Sequence, residues 1–100
     1  MDHNIYDLIR AWARDRNLIK GSDSRAQMLK LMEEVGELAE GLAKGDGVKV
    51  ADSIGDVVVV LTILAEQEGY NFEACVREAY KEIKDRKGRM ENGVFIKEGD

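Results

Sequence analysis

Apolar positions recur at helical spacing along most of the chain. Ile5, Leu8, Ile9 and Trp12 predict a first helix from about Asn4 to Arg16. Gly21, Ser22 and Asp23 interrupt the pattern, and Ser24 is the expected N-cap of a second helix. That helix should reach about Lys44, with Met28, Leu31, Met32, Val35, Leu38, Ala39 and Leu42 on one apolar stripe, and Gly45-Asp46-Gly47 as its stop. The third segment, Val50 to Glu68, is ambiguous. Its stretch from Val57 to Leu64, rich in β-branched residues, would suit a buried strand on propensity. The pattern continues to Gln67 without a turn signal, however, which is too long for a strand, so a helix is expected. This helix is apolar on nearly every side and must be surrounded by protein. A fourth helix should start after Gly69, capped by Asn71, with Phe72, Cys75, Val76, Ala79, Tyr80 and Ile83 on one face, and end near Gly88. Asn92-Gly93 followed by Val94-Phe95-Ile96 reads as a turn and a short extended segment.

The expectation is one all-α domain spanning 1–100, a four-helix bundle with a short extended C-terminal tail. A domain this small has a marginal core unless subunits share it, and the apolar third helix sharpens that point. An oligomer is therefore expected; a strand at Val57 to Leu64 would remove that reason.

Composition narrows the function. Of 100 residues, 44% are hydrophobic and 35% charged, which fits a globular chain and argues against disorder. No apolar run approaches the roughly 18 residues of a membrane span, and the first twenty residues do not read as a signal peptide. A single cysteine, Cys75, permits no intrachain disulfide, so a cytoplasmic protein is expected. A net charge of −5 disfavours broad binding to nucleic-acid polymers. Acidic residues gather between Glu33 and Asp56, whereas Lys81, Lys84, Arg86, Lys87 and Arg89 gather near the C-terminus.

Two acidic groups stand out. Glu33, Glu34 and Glu37 form EExxE on the second helix, with Glu34 beside Leu31 and Leu38 at about 100° per residue. Asp52 and Asp56 share a face of the third helix, and Asp56 is flanked by Val59, Val60 and Ile63. A buried carboxylate is costly unless paired, protonated or metal-bound. Inward carboxylates from facing helices are a common way for bundles to hold a hard cation such as Mg²⁺. Acidic clusters are also frequent on solvated helix faces, and a chain with 20 Asp and Glu can carry EExxE by chance. Asp56 in apolar surroundings is the harder of the two groups to read as surface.

The string Leu29-Lys30-Leu31-Met32-Glu33-Glu34-Val35-Gly36-Glu37-Leu38-Ala39-Glu40 precedes Asp52-Ser53-Ile54-Gly55-Asp56-Val57. Together with Trp12-Ala13-Arg14-Asp15-Arg16 and Glu82-Ile83-Lys84-Asp85-Arg86-Lys87, it resembles the MazG-like nucleotide pyrophosphohydrolases, in particular the short phage and bacterial versions. The resemblance implies an all-α dimeric or tetrameric bundle that hydrolyses the α–β bond of a nucleoside triphosphate, giving monophosphate and pyrophosphate. The family pattern of EExxE followed by ExxD implies that Glu34, Glu37 and Asp56 hold Mg²⁺, for which Mn²⁺ can substitute. Glu33 would position or deprotonate the attacking water. The first acid of ExxD falls on Ser53, a departure, and Asp52 one position earlier is the expected replacement. Tyr80 stands where many relatives have asparagine, a second departure.

The expected triphosphate contacts are Lys81, Lys84, Arg86 and Lys87, with Arg86 favoured because a guanidinium binds phosphate bidentately. A solvated face at a helix C-terminus is the plain alternative for these basic residues. Arg25 and Gln27 are further candidate substrate contacts. Trp12 is expected to pack in a core or interface before it stacks on a base, Cys75 to be a buried packing thiol, and His3 to be exposed. Two other functions stay open on the sequence: hydrolysis of phosphoribosyl-ATP, and a non-catalytic nucleotide-binding oligomer, which the Ser53 departure favours.

Overall fold

Asn4 caps the first helix by accepting the Tyr6 N–H at 2.7 Å, and α1 runs Ile5–Asp15. The computed structural model describes residues 4–99, so His3 lies outside the described residues. Helix α2 runs Ser24–Lys44, but its cap is Asp23 rather than the expected Ser24. The Asp23 carboxylate accepts the Ala26 N–H at 2.8 Å, and its charge also suits the positive end of the helix. Helix α3, Gly47–Gln67, starts three residues before the apolar pattern does. Asp46 caps it by accepting from Lys49 N–H at 3.1 Å, so Gly45-Asp46-Gly47 ends one helix and begins the next. The valine run is helical; the cap and the long uninterrupted register override its strand preference.

Helix α4, Phe72–Ile83, is capped by Asn71 as expected, yet stops five residues short of Gly88. Beyond it the chain forms an antiparallel hairpin, β1 Gly88–Glu91 with β2 Val94–Lys97. Asn92 (φ 50°) and Gly93 (φ 80°) make its turn; two successive positive φ values suit the tight hairpin turn that Asn-Gly favours.

The two-residue link between α2 and α3 folds them into a helical hairpin, which forms the largest packing surface in the chain. Gln27, Glu34 and Gly41 are buried along the α2 seam at heptad spacing, with Leu31 and Leu38 half-buried between them. Gly41 allows a close approach, since a Cβ there would lie 3.3 Å from the Val50 backbone nitrogen. Met28, Met32, Val35 and Leu42, the other half of the α2 stripe, stay open.

Helix α1 meets α3 by its flank, burying Arg10 and Ala13 while Ile5, Leu8 and Trp12 remain open. Helix α4 touches the body near its start. Phe72 stacks obliquely on Tyr6 with ring centroids 5.5 Å apart, and Glu73 takes both Arg10 Nη1 (2.8 Å) and Nη2 (3.0 Å). No residue of α4 is buried, and Cys75, expected as a buried packing thiol, is exposed because nothing among the described residues covers that stripe. Among the described residues, the buried hydrophobic ones are Ala13, Val60, Ile63 and Ala65. Among the described residues no helix is long and apolar enough to cross a membrane.

Candidate active site

The α2–α3 seam brings two of the expected carboxylates together. Glu34 is 6% exposed, and its Oε2 is buried without a hydrogen-bond partner. Its Oε1 lies 3.3 Å from Lys30 Nζ, one helical turn earlier. Asp56, half-buried on α3, lies within hydrogen-bond reach of the Glu34 carboxyl. Burial pushes the Asp56 carboxyl above its ordinary range, and the charges of Asp52 and then Glu34 push it further. Lys30 is raised by its hydrogen bond to Glu34. Two carboxyl groups in contact repel unless a proton or a cation lies between them.

Asp52 is exposed one turn before Asp56 and acts on it by charge. Ser53, at the position of the family acid, is 2% exposed and points into packed protein. Glu33 and Glu37 are exposed, and Glu33 faces Lys30 at 3.6 Å. Among the described residues, no three His, Cys, Asp or Glu side chains converge into a ready-made metal cage. Mg²⁺ does not require one, because it is usually held by one or two carboxylates and completes its shell with water and phosphate oxygens. Glu34, with its orphaned oxygen, and Asp56 are a donor set of that kind.

A cleft opens next to Asp56. One part, of about 510 Å³, is lined by Tyr6, Ile9, Asp52 and Asp56 among others; an adjoining part, of about 370 Å³, adds Leu8 and Trp12. Both share Ile9, Asp56 and Val59, so α1 supplies an apolar wall opposite the α3 carboxylates. From the sequence, Trp12 was expected to pack in a core or interface. The clue against that was Arg10 and Ala13, which lie on a different flank of the helix from Leu8 and Trp12. Lys30 was also missed, although its spacing of four from Glu34 was visible.

The basic residues lie elsewhere in the chain. Lys81 pairs with Glu78 at 3.0 Å, and Lys84 is exposed beyond the last turn of α4. Arg86 and Lys87 line a hollow of about 540 Å³ with Glu82, Asp85, Lys97 and Glu98, and that hollow contains none of the α2 or α3 carboxylates. Arg25 is exposed at the start of α2, while Gln27 is buried in the seam and donates to Ser22 Oγ at 3.2 Å.

Residues 23–90 match the model of the MazG nucleotide pyrophosphohydrolase domain, and the chain belongs to that family. It is also similar to an uncharacterized 18.2 kDa protein from the rep-hol intergenic region of Haemophilus phage HP1, at 52% identity over 59 residues. The match takes in 59% of this chain and 36% of that relative, so the chain spans little more than a third of the phage protein. No solved structure matches the chain.

Proposed function

We propose that the chain is a Mg²⁺-dependent hydrolase, cleaving (deoxy)nucleoside triphosphates to monophosphate and pyrophosphate in the cytoplasm as a homodimer or homotetramer. The observation that carries this reading is the contact between Glu34 and Asp56, one carboxyl with an orphaned buried oxygen and the other held above its ordinary range, at the edge of the Trp12 cleft. Glu34 and Asp56 would hold the cation, with Asp52 in the role of the acid missing at Ser53 and Glu37 completing the family set. Mn²⁺ would substitute in the same oxygen-donor site. When bound, such a cation withdraws charge from phosphate oxygens and lowers the pKa of a coordinated water.

The protein residues do the rest. Trp12 and Ile9 give the base an apolar wall, and Glu33, outside the carboxyl pair, takes the proton from the attacking water. Water adds to phosphorus, the bond to the bridging oxygen breaks, and pyrophosphate leaves. Lys81, Lys84, Arg86 and Lys87 would neutralise the triphosphate only if a second protomer brought them to the carboxylates, because in one chain they line a separate hollow. Arg25 would reach substrate from the exposed start of α2, and Gln27 would support that turn through Ser22.

Assembly has its own support. Among the described residues the buried hydrophobic ones are Ala13, Val60, Ile63 and Ala65, a small core for a domain of this size, and large apolar side chains lie open on every helix. The burial of Ser53 supports a second reading, a nucleotide-binding oligomer without catalysis.

Pyrophosphate release from a panel of dNTPs and NTPs, with Mg²⁺ and with excess chelator, tests the hydrolytic reading. The expected result is Mg²⁺-dependent release that Glu37→Ala abolishes. Silence across the panel, with nucleotide still raising the thermal midpoint of the folded protein, would favour the binding module.

A further inference from the structure

The C-terminal hairpin is a structural oddity. All eight of its strand residues are exposed, and among the described residues no helix packs extensively against it. Its root is closed by the Glu98 N–H, which donates to the Lys87 carbonyl at 2.7 Å, and Glu82 and Asp85 share a hollow with Lys97 and Glu98 there. A two-stranded hairpin alone in water is marginally stable at best; it needs further strands or a surface to pack on.

The strand register shows which face calls for that surface. Met90 pairs with Phe95 and Gly88 with Lys97 on one face; Glu91 pairs with Val94 and Arg89 with Ile96 on the other. The second face interleaves Val94, 59% exposed, and Ile96, 39% exposed, with an Arg89–Glu91 ion pair at 3.5 Å, so charge and water share that face with its apolar groups. The first face presents Met90, 64% exposed, and Phe95, 49% exposed, with the Phe95 ring lying where any side chain at Gly88 would collide with it.

We propose that the Met90–Phe95 face of the hairpin is an arm that packs on the helical body of a second copy of this chain. The dimensions argue for a second copy. The chain exposes 7650 Å², whereas a compact protein of 11.2 kDa exposes about 5,700 Å². Its radius of gyration of 16.4 Å compares with about 13 Å for a compact domain of this length. The excess of roughly 2,000 Å² exceeds the ~800 Å² that each partner buries in a standard interface and falls in the range of obligate self-assembly. A second copy also carries what the arm needs, an open apolar strip on α2 formed by Met28, Met32, Val35 and Leu42. Arm on body and body on arm is a self-complementary, two-fold arrangement, the commonest form of oligomer.

The inference rests on the assembly reading above, and its test separates the two. Sedimentation of the full-length chain over a concentration series should give an oligomer. The Met90→Asp/Phe95→Asp variant should dissociate about 100-fold more readily while keeping its helical circular dichroism. In the unmodified chain, hydrogen exchange should show hairpin amides protected at high concentration and unprotected on dilution, a readout that requires no variant to fold. An oligomer indifferent to the double substitution would overturn the role of the arm alone. A chain that stays monomeric would overturn the assembly reading with it. Hairpin amides protected equally at every concentration would place the arm on its own chain and also overturn the inference.

Discussion

The Asp56 carboxyl lies within hydrogen-bond reach of Glu34, whose second oxygen is buried with no partner, so the seam between α2 and α3 holds two acids where a dry core would hold none. Without a cation this contact works against folding at neutral pH. The folded-state pKa of Asp56 is raised, so its contribution to stability is fully present below the ordinary carboxylate value and is lost as pH rises through the raised one. In chelator, the thermal midpoint should therefore fall as pH rises through that window. Asp56→Asn should flatten that fall and stabilise the metal-free protein, while removing Mg²⁺-induced stabilisation.

Glu73 has the opposite sign. The Arg10 guanidinium beside it lowers its pKa to about 2. Its contribution is present above the ordinary carboxylate range and lost as pH falls toward that value. Acid unfolding of the wild type should thus begin with release of α4 from α1. The check is tyrosine and tryptophan fluorescence during acid titration, where Glu73→Gln should remove the earliest phase.

Arg10 is 5% exposed and is the principal polar tie between α1 and α4, through Glu73, with Asp7 at 2.6 Å on its other side. Arg10→Ala leaves that cluster without its cation. The expected outcome is a thermal midpoint lower by on the order of 10 °C at fixed protein concentration. Arg10→Lys should recover only part of it, because one ammonium cannot reproduce the two-pronged contact with Glu73.

A Cβ at Gly41 would lie 3.2 Å from Val50 Cγ2 and 3.3 Å from the Val50 backbone nitrogen. Gly41→Leu forces a side chain against Val50 and should cost about 1–3 kcal/mol in denaturant unfolding. Gly36, whose missing Cβ would meet nothing within 4 Å, should accept alanine without loss.

Trp12 is the sole tryptophan, 44% exposed, and lines the same cleft as Asp56. Nucleotide binding should change its emission in the presence of Mg²⁺. Trp12→Ala should raise KM more than it lowers kcat, the mark of a group that grips the base rather than the reacting phosphorus.

Much of the fold was legible because its signals are local. Asn4, Asn71 and the Gly45-Asp46 link stand where capping chemistry requires them, and Asn92-Gly93 announces its turn. Two boundaries shifted because a neighbouring carboxylate capped better: Asp23 in place of Ser24, and Asp46 ahead of Val50. Cys75 was misplaced for a different reason. An apolar stripe says that a face wants cover, not that the same chain supplies it, and α4 has no cover of its own. In the site, the pairing of Glu34 with Asp56 follows from periodicity on two helices. Trp12 and Leu8 as cleft walls do not, because only the docking of α1 by its Arg10–Ala13 flank turns them toward Asp56.

Phosphorus-31 NMR of a deoxynucleoside triphosphate mixed with the wild type and with Asp56→Asn tests the central claim most directly. The account predicts that the wild type with Mg²⁺ yields monophosphate and pyrophosphate in equal amounts, and that Asp56→Asn, still folded, yields neither. Diphosphate with orthophosphate, or an unchanged rate in the variant, would contradict it.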